Sequence, residues 1–103
     1  MDWKQLVTAL GHYVPAGSVT TYAQVSLWGY GKPNLNQPVR SLLSGAAIHG
    51  HQRLTNRVVG KDGRLADLPN GSHQQRRQLL DEGIPFTTDG RVDFDRISSV
   101  TLA

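Results

Sequence analysis

The sequence contains no cysteine among its 103 residues. Disulfides, thiolate metal sites and a thiol nucleophile are therefore excluded together. It also lacks any apolar run approaching the ~20 residues a bilayer-crossing helix needs. The N-terminus, Met1-Asp2-Trp3-Lys4, has neither the basic start nor the apolar stretch of a secretory signal. Phosphate-binding Gly-rich loops, a dinucleotide turn and paired carboxylates are missing as well. The composition, 38% hydrophobic and 18% charged, fits neither a disordered chain nor a coiled coil. The expectation is one small cytoplasmic domain over residues 1–103, monomeric, with no cofactor, metal or membrane contact.

What is present is an uneven charge. The net charge is +3 and the pI about 9.7, but the excess sits in the middle third. Residues 1–31 are neutral. Residues 32–64 carry Lys32, Arg40, Arg53, Arg57, Lys61 and Arg64 against Asp62 alone, and residues 65–103 are net acidic. A basic band on a small domain suits a polyanion such as nucleic acid.

Periodicity predicts mostly helix. Asp2 followed by Trp3, Leu6, Val7 and Leu10 reads as a capped amphipathic helix ending near Gly11. Thr21 and Gln24 have capping-box spacing, and the helix they open should run through Val25 and Trp28 to a stop at Gly29. Leu35, Val39, Leu42 and Leu43 define a third helix, over about residues 36–44, with Pro38 tolerated only in its first turn. Two short helices joined by Gly29-Tyr30-Gly31 have the form of a helix-turn-helix. Arg57-Val58-Val59, Asp62-Gly63 and Arg64-Leu65 predict a hairpin. Ser72 and Gln75 box a further helix carrying Leu79 and Leu80 and stopping at Gly83. A second hairpin is expected across Phe86, Asp89-Gly90, Val92 and Phe94. Residues after 96 carry no signal. The fold class expected is mainly α with small β-hairpins, a winged helix-turn-helix-like DNA-binding domain. His49-Gly50-His51 has metal-compatible spacing but no third ligand, so two loop histidines are expected.

Four stretches resemble the DNA-binding domain of O-6-alkylguanine-DNA alkyltransferases, the methylated-DNA–protein-cysteine methyltransferases. They are Val14-Pro15-Ala16-Gly17-Ser18-Val19-Thr20-Thr21-Tyr22, then Arg57-Val58-Val59 with Asp62-Gly63, then Gln75-Arg76-Arg77-Gln78-Leu79-Leu80, and Glu82-Gly83. Their order and spacing agree across residues 2–86. Where that family has its Pro-Cys-His-Arg motif, this chain reads Leu54-Thr55-Asn56-Arg57. A threonine beside an asparagine offers neither a thiolate nor a base to make one, so no alkyl transfer is expected. The resemblance is then to the alkyltransferase-like proteins, which bind alkylated guanine in double-stranded DNA, flip it out unrepaired and hand it to nucleotide-excision repair.

That resemblance implies a set of site residues. Tyr22, at a helix N-terminus suited to phosphate, would assist rotation of the target nucleotide. The helix over 36–44 would enter the minor groove, with Ser41 on its DNA-facing side. Gln37 stands where the family has its intercalating arginine. Arg40, one turn on, either takes over that wedge role or obstructs docking. Lys32, Arg40, Arg53, Lys61 and Arg64 would supply phosphate contacts, and Arg57 either contacts DNA or braces the site from beneath. The pocket for the flipped base would be lined by Tyr22, Leu43, Thr55, Asn56, Val59, Leu68 and Pro69. Glu82 matches a carboxylate that orients the family's histidine, and with Asn56 in that place it becomes a helix-end residue. The rival expectation is an interaction or nonspecific DNA-binding module that keeps the fold and has lost lesion recognition.

Overall fold

Asp2 starts the first helix of the computed structural model, which describes residues 1–65 and 71–102. Its carboxylate accepts from the Gln5 amide at 2.9 Å while the Gln5 side chain accepts from the Asp2 amide at 3.0 Å. This reciprocal box satisfies two otherwise free donors and opens α1 (Trp3–Tyr13), which buries Leu6, Ala9 and Leu10. The helix runs through Gly11 to a cap at Val14. A helical glycine costs only ~1 kcal/mol, too little to end a helix whose apolar face continues.

β1 (Thr20–Thr21) leads directly into α2 (Tyr22–Tyr30). The Thr21 hydroxyl accepts from the Gln24 amide at 3.1 Å. The stop is Gly31, in the left-handed region at φ 73°, and not Gly29. α3 (Asn36–Ala46) begins at the expected residue, with Pro38 in its first turn.

The joint between α2 and α3 is fixed by Ser26, which is fully buried. Its hydroxyl donates to the Lys32 carbonyl oxygen and accepts from the Leu35 amide at 3.0 Å. Ser26→Ala strands both backbone groups. It is expected to cost about 1–3 kcal/mol, read as a lowered midpoint in thermal unfolding.

α3 continues past residue 44 into a π-helical turn (Ala47–His51), where His49 and Gly50 leave helical φ/ψ, and then into α4 (Gln52–Thr55). Trp3 braces this extension. Its ring stacks on His49 at 4.4 Å with the planes 14° apart and lies 5.6 Å from His51. His49 Nδ1 is 2.7 Å from the Gly45 carbonyl oxygen. The two histidines are packing partners of a tryptophan.

β2 (Val58–Val59) pairs in parallel with β1, Thr20 opposite Val58 and Thr21 opposite Val59. The hairpin expected over 57–65 is therefore corrected at its strand. Both valines are buried, the pattern of a strand covered on two faces, and each pairs with a residue 38 positions away in sequence. The turn itself forms: the Gly63 amide donates to the Gly60 carbonyl at 2.9 Å and the Gly60 amide to the Arg64 carbonyl at 2.8 Å. Residues 60–64 are thus a closed loop beside the sheet.

Val58 and Val59 point to opposite faces and into different apolar clusters. Val58 joins Leu6, Leu10, Val25, Val39 and Leu42, and Val59 joins Val19, Leu79, Ile84 and Val92. α5 (Gly71–Asp81) begins one residue before Ser72, the expected cap, so Ser72 lies inside the helix; the helix buries Leu79 and leaves Leu80 exposed.

The second expected hairpin contracts to one antiparallel bridge, Phe86 with Val92, closed by a turn in which the Thr87 amide donates to the Arg91 carbonyl at 2.8 Å. Pro85 has no amide to extend the ladder, and Phe94 packs on the second cluster instead. The tail past residue 96 is structured. The Val100 amide donates to the Val19 carbonyl at 2.9 Å and the Thr20 hydroxyl to the Val100 carbonyl at 2.7 Å. Leu102 is buried in the first cluster.

Candidate nucleic-acid interface

The helix pair and the 60–64 loop leave a cavity of about 580 Å³ between them. Tyr22 and Ala23 come from the start of α2, and Asn36, Arg40, Leu43, Ser44 and Ala47 from successive turns of α3 and its extension. Gln52, Thr55 and Asn56 close the floor from α4, and Val58, Lys61, Asp62, Arg64 and Gln75 complete the wall. Volumes of this order hold a drug-sized or nucleobase-sized group. Burial pushes the Tyr22 hydroxyl above its ordinary pKa, and the nearby Arg40 guanidinium opposes that rise. At neutral pH the phenol keeps its proton and faces the cavity as a donor.

Beneath the floor lies a polar brace. Arg57 is only 8% exposed. Its Nε donates to Glu82 Oε1 at 3.0 Å, Nη2 to Glu82 Oε2 at 2.8 Å and Nη1 to the Val14 carbonyl at 3.2 Å. Asn56 Nδ2 donates to Gln78 Oε1 at 2.9 Å. Gln78 Nε2 in turn donates to the Arg53 carbonyl at 2.7 Å and to Glu82 Oε2 at 3.2 Å. Gln75 Nε2 donates to the backbone carbonyls of Asn56 and Val58 at 3.0 and 3.1 Å. One face of α5 thus holds the floor of the cavity in place. The Thr55 hydroxyl donates to the Gln52 carbonyl at 3.1 Å, and its neighbour Asn56 carries no basic nitrogen.

The expected site residues separate into four groups. Tyr22, Leu43, Thr55 and Asn56 line the cavity together, joined by Arg40, Lys61 and Arg64. Lys32, Gln37, Ser41 and Arg53 are exposed but outside the lining. Arg57 as a DNA contact and Val59 as a pocket residue are corrected: Arg57 takes the bracing alternative, buried in its ion pair, and Val59 points into the second cluster while Val58 faces the cavity. Leu68 and Pro69 lie outside the described residues. Glu82 is corrected too, since it anchors Arg57 and does not merely end a helix.

Sequence reasoning missed Gln75 and Gln78. Their signal is spacing: Gln75, Gln78 and Glu82 fall at i, i+3 and i+7, one polar stripe beside buried Leu79. Among the described residues no group of three metal-binding side chains occurs, and no helix is long and apolar enough to cross a membrane.

No family model and no curated protein sequence matches the chain. Among solved structures it is similar to S. pombe Atl1, determined in complex with damaged DNA containing O6-carboxymethylguanine. The TM-score is 0.70 at 21% identity, with 91% of this chain and 90% of that chain covered. The likeness establishes the fold, that of an alkyltransferase-like protein: a mainly helical, helix-turn-helix architecture with a two-stranded sheet.

Proposed function

We propose that this chain is a non-enzymatic sensor of alkylated guanine in double-stranded DNA. The observation that carries the reading is the cavity: a base-sized space bounded by the helix-turn-helix, with Tyr22 and Arg40 lining it. α3 enters the minor groove, the damaged base flips into the cavity, and Tyr22 at the N-terminus of α2 crowds the rotated phosphate. Exposed Lys32 and Arg53 hold the flanking backbone. The protein acts as a cytoplasmic monomer and presents the lesion to nucleotide-excision repair.

The chemistry of the floor supports binding without transfer. A threonine hydroxyl committed to a backbone carbonyl, next to an amide, has no base to take its proton. The structural neighbour's complex with damaged DNA supports DNA as the partner.

The test is the affinity for two matched duplexes, one carrying a single O6-methylguanine and one unmodified, at two salt concentrations. A preference for the lesion that survives moderate salt supports the reading. Equal, steeply salt-dependent binding replaces it with a nonspecific module. Arg40→Glu removes one positive charge and adds a negative one beside the cavity. It is expected to weaken duplex binding by roughly 10- to 100-fold at low salt; affinity within twofold of the parent would exclude Arg40 from the interface.

A further inference from the structure

Ile48 is the most exposed large apolar side chain among the described residues, at 81%. A single apolar residue in water needs no function of its own, so its position carries the argument. Ala47 keeps helical φ/ψ and the backbone departs only at His49, so the spacing of α3 holds as far as Ile48. Gln37, Ser41, Ser44 and Ile48 then fall at i, i+4, i+7 and i+11, on one face. All four are exposed, while the opposite face buries Val39, Leu42, Leu43 and Ala46. Ser44 and Ala47 line the cavity. The exposed stripe therefore borders the cavity mouth, and it ends in an isoleucine.

That isoleucine is stiff and firmly seated. Its β-branch restricts χ1. The next residue, His49, stacks on Trp3 of α1 at 4.4 Å, and its Nδ1 lies 2.7 Å from the Gly45 carbonyl oxygen. Gly45 admits the Trp3 ring so closely that a Cβ there would stand 3.1 Å from Trp3 Cδ1. A side chain held in this way has little freedom to lose on binding. The short hydroxyls of Ser41 and Ser44 let the helix come close to a groove floor, and exposed Arg40 and Arg53 supply attraction for the phosphates on its rims.

We propose that Ile48 is an apolar wedge that inserts from the minor groove into the base-pair step beside the target nucleotide. Apolar side chains used in this way unstack a step and kink the duplex, and a loosened stack lowers the cost of turning a base out. The inference rests on the reading that α3 enters the minor groove, and it assigns the residue that opens the duplex.

The probe is a duplex with a single O6-methylguanine and, in the neighbouring pair, a 2-aminopurine on the opposite strand, whose fluorescence rises when it unstacks. A matched duplex has guanine at the target. The full chain is expected to raise the fluorescence of the lesion duplex. Ile48→Ser should abolish most of that rise and weaken binding by about tenfold. The slope of log affinity against log salt should stay the same, because no phosphate contact is removed. Ile48→Leu should restore the rise and bring affinity to within roughly twofold of the parent. Thermal unfolding of each variant should match the parent, because the side chain stands in water.

A full rise and an unchanged affinity with Ile48→Ser overturn the wedge and leave the lesion reading standing. Weaker binding with the full rise makes Ile48 a groove-wall contact and overturns the wedge as well. No rise with the parent chain on either duplex overturns it too. If the parent binds both duplexes alike and Ile48→Ser abolishes the rise in both, the wedge stands and the lesion reading falls.

Discussion

Replacing Glu82 by alanine is expected to destabilise the chain by about 3–5 kcal/mol, because it leaves the Arg57 guanidinium buried without its counter-charge. The two side chains are 10% and 6% exposed, so water screens the pair little. Domains of this size have total stabilities of about 5–15 kcal/mol, so the variant should stand near unfolding at room temperature. Urea unfolding is the measurement, and a loss under 1 kcal/mol would contradict the bracing role. Arg57→Met with Glu82→Leu should recover much of the loss, because an apolar pair of similar volume leaves no bare charge.

The same pair sets an acid limit. The hydrogen bond from Arg57 holds the Glu82 carboxyl below the usual carboxylate range, against the opposing effect of burial. Glu82 therefore ionises more readily in the folded chain than in the unfolded one. Its contribution is complete above the unfolded carboxylate value of about 4.3 and is lost as pH falls through the lower folded value. Glu82→Gln is expected to flatten the decline of stability over that window, which unfolding midpoints at a series of pH values would show.

Gly63→Ala is the second change with a large expected effect. Gly63 sits at φ +88°, and an added Cβ would overlap the Val92 carbonyl oxygen and lie 3.0 Å from the Val92 amide nitrogen. Both obstacles are backbone, and the Val92 amide is already bonded to the Gly63 carbonyl at 2.9 Å, so neither backbone segment yields without breaking that bond. Left-handed strain of roughly 1–2 kcal/mol and a forced shift of roughly 1–3 kcal/mol place the cost near 2–5 kcal/mol. The loop it displaces carries Lys61 and Arg64 into the cavity wall. Duplex affinity should therefore fall even in conditions where the variant remains folded. Gly11→Ala is the control: inside α1 a Cβ there meets nothing within 4 Å, and the exchange should gain up to ~1 kcal/mol. A Gly63→Ala protein with the parent's melting temperature would refute the account.

The helices were legible because their causes are local. Asp2, Thr21 and the 35–39–42–43 periodicity act within a few residues, and they place α1, α2 and α3 to within one turn. The β pairing was not legible, because a two-residue strand has no alternation to read and its partner was chosen by burial on both faces. Val59, which the resemblance implies for the pocket, stands one residue from the Val58 that lines it, and a one-residue shift in a strand exchanges its faces. The cavity itself was half legible. Tyr22, Thr55 and Asn56 follow from motif position, whereas the brace from Gln75, Gln78 and Glu82 depends on how α5 docks, which no local pattern states. The tail at Val100 and Leu102 has no periodicity because it fills space left by other elements.

Thr20 ties three distant parts of the chain: its amide bonds to the Arg57 carbonyl at 2.9 Å, and its hydroxyl reaches Val100, 80 residues on. During synthesis α1, α2 and α3 can coil from near-neighbour contacts while this junction waits for the rest of the polypeptide. Until then Val19 lacks the cover of Leu79, Ile84 and Val92, and the nascent chain presents apolar surface to its surroundings. Closure over such a span is slow compared with helix formation. The floor of the cavity, seated on the strand that Thr20 pins, is therefore assembled late, and capacity to bind a base should emerge as the final event of folding.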